Sequence, residues 1–135
     1  MLDIHACIRQ VLLGNSPVAT LSGGIVAWPD LPAGFDAKAG QKAVTFFARG
    51  GPQNPETATF AEPSIQVKTW ALKVPDAMQL FAAVYDLLDQ AEQLDGSPSG
   101  VIVSGYAEGP GQPMFDPDTG WATVVGFFKL SMRAN

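Results

Sequence analysis

Histidine and cysteine are nearly absent from this chain, with one of each among 135 residues. A catalytic triad or a histidine-based metal site would have to rest on His5 alone, and its sequence neighbours supply no partner motif. Cys7 has no second cysteine for an internal disulfide, which suits a reducing cytoplasm. Basic residues are scarce too: eight Lys and Arg against thirteen Asp and Glu leave a net charge of −5. A surface that grips nucleic acid needs clustered cations, so the balance argues against that class. No apolar run approaches the roughly 20 residues of a membrane span. The opening MLDIHACIRQVLLG lacks a basic start and is interrupted by Asp3, His5, Arg9 and Gln10, so it does not read as a signal peptide. Charged residues make up only 16% of the chain against 47% hydrophobic, which excludes general disorder. The length suits one domain, residues 1–135, with a real core.

What is present is organised around the stretch from Glu62 to Asp95. Between Ser64 and Leu72, Ile65, Val67, Thr69 and Ala71 alternate with Gln66, Lys68 and Trp70, the period of a half-buried strand. Val74-Pro75-Asp76 then starts a helix, Pro presetting the first turn and Asp complementing its positive end. Ala77, Leu80, Phe81, Val84, Leu87, Leu88, Ala91 and Leu94 form one apolar stripe, which predicts a helix running to Gly96. Asp86, Asp89 and Glu92 fall on its wet side.

The flanking segments follow the same logic. An N-terminal helix to Leu13 turns Ile4, Cys7, Ile8, Val11 and Leu12 inward and His5 and Arg9 outward, with Cys7 as a small buried hydrophobe. Gly14-Asn15-Ser16-Pro17 terminates it, and Val18–Leu21 reads as a short extended piece or the end of the connection. Ile25–Trp28 is a brief strand closed by Pro29 and Pro32, hence an edge or a connecting segment. Lys42–Arg49 is a strand with Val44, Phe46 and Ala48 on one face and Thr45 and Phe47 on the other. After the central helix come a strand at Val101–Ala107 and a long closing strand at Trp121–Arg133. In the latter, Ala122, Val124, Phe128, Leu130 and Met132 oppose Thr123, Val125, Phe127, Lys129 and Arg133, and Gly126 marks a bend or close approach. The order α-β-β-β-α-β-β predicts an α+β fold, an antiparallel or mixed sheet backed by two helices.

Two long connections remain, Gly50–Ala61 and Glu108–Gly120, each far longer than a hairpin needs. They carry Phe60 in one and Met114 and Phe115 in the other. They read either as ordinary mobile loops or as arms that order against neighbouring subunits. Asp116-Pro117-Asp118-Thr119-Gly120 resembles the start of a calcium loop but lacks the later ligands, so a turn is expected there. The expectation is a non-enzymatic protein with no metal and no cofactor.

The N-terminal helix (IHACIRQVL), the short strand followed by prolines (GIVAWPDLP), the strand running into the central helix (PSIQVKTWALKVPDAMQLFAAVYDLL) and the closing strand (WATVVGFFKLSM) together resemble the tail terminator, or tail completion (tail-to-head joining), proteins of long-tailed bacteriophages and related gene transfer particles. The resemblance covers nearly the whole chain and rests on spacing rather than an invariant signature. It implies a structural virion protein of the tail neck, assembled in the host cytoplasm. Such a protein forms a hexameric ring that caps the tube of major tail protein, stops its polymerisation and meets the head connector or stopper. Genomic DNA passes through the lumen without specific binding, and acidic or neutral groups from the loops would line it. The candidate subunit or tube contacts are Phe47 and Phe127 on the strands and Pro52, Asn54, Phe60, Met114, Phe115 and Asp116 in the long connections. Other classes compatible with the residues are a small cytoplasmic ligand-binding or enzymatic α+β domain, and an adaptor in a secretion apparatus built on phage-tail parts.

Overall fold

The computed structural model describes residues 2–49 and 60–135. Helix α1 (Ile4–Gly14) starts where the Asp3 carboxylate accepts the Ala6 N–H at 3.1 Å. It buries Cys7, Ile8, Val11 and Leu12, as the spacing predicts. The next segment departs from expectation, because Val18–Leu21 lies inside a second helix, α2 (Ser16–Ser22). Asn15 caps it by accepting the Val18 N–H at 3.1 Å, and Pro17 sits in the first turn, where its missing N–H has no partner to lose. The Gly-Asn-Ser-Pro run therefore joins two helices instead of leading into extended chain.

Strand β1 (Val26–Ala27) pairs in parallel with β2 (Ala43–Arg49) at one edge of the sheet. Their connection holds one 3-10 turn at Ala37–Ala39. Residues 50–59, including Pro52 and Asn54, lie outside the described residues. The chain continues as β3 (Phe60–Ala61), β4 (Ser64–Ala71), α3 (Val74–Leu88), β5 (Ala91–Asp95), β6 (Val101–Ala107), β7 (Gln112–Phe115) and β8 (Ala122–Arg133). The sheet order is β1-β2-β4-β8-β6-β5, with β3 and β7 also paired to β8, so the fold is α+β with a mixed sheet. Helices α1 and α3 pack on one face of it.

Register shows that the short strands are continuations of longer ones. Phe60↔Arg133 and Ser64↔Lys129 share one register, so β3 and β4 are a single line of strand interrupted at Glu62-Pro63. Pro63 lacks an N–H, yet its carbonyl still accepts the Leu130 N–H at 3.0 Å. On the other side of β8, β6 and β7 follow each other less evenly. From Ala107↔Phe128 to Gln112↔Val125 that side advances five residues while β8 advances three, so two residues are extruded near Gly109–Gly111. The long connection Glu108–Gly120 thus contains a paired strand, closed by a turn in which Asp116 accepts from the Thr119 N–H and hydroxyl.

The central helix ends earlier than its apolar stripe. Ala77, Leu80, Phe81, Val84 and Leu88 are buried as expected and Leu87 partly so, but Gln90 turns left-handed at φ 58° and the chain becomes β5. Ala91 and Leu94 still point inward although they are three apart, because Gln93, at φ 51°, shifts the strand's alternation. Gly96 accordingly lies in the β5–β6 turn, against Cys7, and does not stop the helix. Glu92 sits on β5 instead of the helix. Asp89, expected on the wet side, accepts the Ala107 N–H at 2.9 Å and ties the helix end to β6.

Gly126 is a close approach, as its place in the closing strand suggests: a Cβ there would fall within the ring of Phe81 on α3. Gly126→Ala is expected to destabilise by about 1–3 kcal/mol, since ring or strand must shift. Gly14, at the end of α1 with open space around it, provides the control. Gly14→Ala should be neutral or stabilising by up to about 1 kcal/mol. Urea unfolding of both variants checks this, and equal costs would show that α3 does not pack on β8 through that gap.

Candidate assembly surface

Side chains alternate across a pleated strand, so register assigns each residue a face. The face turned from α1 and α3 is built in rows. Phe47, Gln66 and Phe127 form one; Arg49, Ser64, Lys129 and Tyr106 form the next. On the other side of the first lie Thr45, Lys68, Val125 and Gln112, then Trp70, Thr123 and Met114. Phe60 joins the same face through its pairing with Arg133. Trp70 is buried there. Its Nε1 donates to the Thr45 hydroxyl at 3.0 Å, and the Lys68 ammonium lies 5.0 Å from its ring centre. The β1–β2 connection reaches this end of the face, where Phe35 meets Trp121 edge-on and Pro29 and Asp30 border a cavity of about 180 Å³.

Four of the residues singled out in the sequence are brought together on this surface. Phe47, Phe60, Met114 and Phe127 are 44%, 54%, 52% and 46% exposed, high values for large apolar side chains on one sheet face. Phe115 pairs with Ala122 and so belongs to the helix side, where it stands out at 66% exposed. The Asp116 carboxylate is engaged in closing the β7–β8 turn, and its bond from the Thr119 hydroxyl lowers its pKa from the ordinary value. Tyr106, more than half exposed on the same face, was missed, although the alternation of Val101–Ala107 pairs it with Ser104 in direction. On the helix side, a groove of about 510 Å³ runs between α3 and the β6–β7 link, lined by Met78, Phe81, Ala82, Tyr85 and Pro110.

His5 and Arg9 are not on an outer face. The imidazole stacks at 5.7 Å from the Trp28 ring centre and 6.0 Å from that of Phe46, and its Nε2 accepts the Ala48 N–H at 3.3 Å. Arg9 Nε donates to the Val26 carbonyl at 3.0 Å. Both side chains fasten α1 to the β1–β2 edge, an arrangement with no sequence signal because the partners lie far along the chain. Cys7 is fully buried, and burial first, then the carboxylates of Asp95 and Asp3, push its thiol up to about 11. It is a packing residue with little thiolate at neutral pH. Among the described residues no three His, Cys, Asp or Glu side chains cluster so as to hold a metal.

No family model matches the chain, nor does any curated protein. Among solved structures it is similar to a chain of the virion of native gene transfer agent (GTA) particle, with a TM-score of 0.69 and 17% identity. The likeness covers 97% of this chain and 95% of that one, so the two share a fold from end to end.

The His5 contacts generate a pH dependence. Burial lowers its pKa from the ordinary 6.5, opposed by the nearby Asp3 carboxylate, so folding favours the neutral ring that can accept the Ala48 N–H. That contribution is fully present above 6.5 and is lost as the pH falls from there through the lowered folded value. His5→Phe keeps an aromatic ring but cannot titrate. The stability of the wild-type chain relative to this variant should therefore fall as the pH is lowered through 6.5 and on through the lowered folded value. A difference that stays constant across the range in thermal melts would refute the assignment.

Proposed function

We propose that this chain is a structural protein of a tailed, phage-like particle. In this reading it forms the ring that caps the tail tube, halts polymerisation of the tube protein and joins the tail to the head connector. The whole-length likeness in fold to a chain of a gene transfer agent virion carries the reading, and the sequence resemblance to tail terminators supplies the specific role. The molecule's open sheet face adds support, since exposed Phe47, Phe60, Tyr106, Met114 and Phe127 are what a subunit or tube contact would cover. Six subunits are taken from the resemblance. With a net charge of −5, such a ring would let the phosphate backbone slide through its lumen unheld.

The test is made on particles. Disrupting the gene in producing cells should yield tails of unregulated length that fail to join heads, and purified protein added back should restore a fixed length. Electron microscopy with gold-labelled protein should place the label at the head-proximal end of the tail. Tails of normal length without the protein, together with its absence from purified particles, would overturn the proposal.

A further inference from the structure

The two layers of the fold are finished with opposite chemistry. On the open face, exposed Phe47 and Phe127 form a row between that of Lys68 and that of Arg49, Lys129 and exposed Tyr106. Glu108 shares a pocket with Arg49 and Phe127, and Asp30 borders the same cavity as Lys68, so among the described residues of these rows Lys129 is the cation best placed to meet an incoming carboxylate, with Lys68 beside it. On the far side of the molecule, α3 exposes Met78 and Ala82 beside the 510 Å³ groove, and the only charged residues along the helix are Asp76 and Asp86. We infer that these surfaces are the two halves of one contact between copies of this chain, the open sheet face of one copy receiving α3 of the next. The inference deepens the assembly role proposed above and rests on it.

Charge complementarity selects the occupant. Sheet face on sheet face would bring the Lys68 and Lys129 rows of two copies together, and α3 on α3 would oppose their carboxylates. Both symmetric pairings are repulsive, whereas face on helix is attractive and sets the orientation. The apolar parts match in kind: flat, rigid aromatic rings on one side, and on the other a helix ridge whose flexible Met78 can adapt to them. Because the halves lie on opposite layers, the contact is head-to-tail, the type that closes into a ring when the rotation per copy divides the circle.

Two charge reversals test it. Asp86 is exposed on α3, so Asp86→Lys damages only the helix half, while Lys129→Glu damages only the sheet half. Lys68→Glu serves as a second sheet variant, because it spares the bond from Lys129 Nζ to the Glu62 carbonyl. With melting temperatures unchanged, each variant alone should self-associate at least ten-fold more weakly than wild type in sedimentation. Mixed with Asp86→Lys, either sheet variant should form heterodimers and recover association beyond them, since the intact halves pair and the two reversed halves again carry opposite charge. Zero-length carboxyl-to-amine coupling of the wild-type chain should join Lys68 or Lys129 of one copy to Asp76 or Asp86 of another. Self-association that survives the reversals, no heterodimer on mixing, or a wild-type chain that stays monomeric both alone and on tail tubes would overturn the contact. Retention of a DNA oligonucleotide on the face in place of a second copy would do so too. Rings on tubes that ignore the reversals would sink this contact and leave the proposed function standing; the reverse outcome, association without tube binding, would do the opposite.

Discussion

The fold depends on β8 being paired along both edges. Its twelve residues hold β4 and β3 on one side and β7 and β6 on the other, so four of the other strands find their place through it. Its inward residues Val124, Phe128, Leu130 and Met132 are buried in the core that α3 shares, with Gly126 leaving room for the Phe81 ring. Its outward residues carry Phe127 and Lys129 into the open face. A slip of one residue would exchange those sets, placing Phe127 and Lys129 in the core and Phe128 in water. The register that makes the core therefore also makes the surface.

Where one periodicity dominated, the sequence was legible. The buried faces of α1, β4, α3 and β8 follow from three-to-four or two-residue spacing, and the alternation of β2 and β8 turns Phe47 and Phe127 away from them. The failures have physical causes. Ala91 and Leu94 continue the spacing of α3 because a left-handed residue lets a strand imitate a helix's inward positions. Strand β7, with sequence Gln-Pro-Met-Phe, has no buried side chain, so it leaves no alternation to detect. The signal lay in its partner. The closing strand is longer than Val101–Ala107 can pair, and the surplus backbone groups needed company. His5 illustrates the other limit, since stacking on Trp28 and Phe46 is a tertiary event without a local pattern.

The candidate site has the character of a surface more than a pocket. The cavity among Pro29, Lys68 and Trp70 is small, and the larger groove along α3 is open and lined mainly by apolar side chains. Titratable groups that depart from ordinary behaviour do so for structural reasons: burial for Cys7 and His5, turn closure for Asp95 and Asp116. A molecule whose perturbed ionisable groups serve its own architecture while aromatic rings stand exposed in rows is suited to meeting other proteins. The proposed place in a tail neck asks for that and no more.

The rims of the sheet bear on how any such meeting can occur. An imidazole takes up a β2 amide that would otherwise face outward, a left-handed residue kinks β5, and a proline removes an amide from β7. Each device discourages a foreign strand from adding itself to the ladder. Growth by strand addition has no natural end and is the route to fibrils, so a protein made to a finite number gains from closing it. Rims guarded in this way favour neighbours that arrive over the faces, where side chains rather than backbone decide who fits.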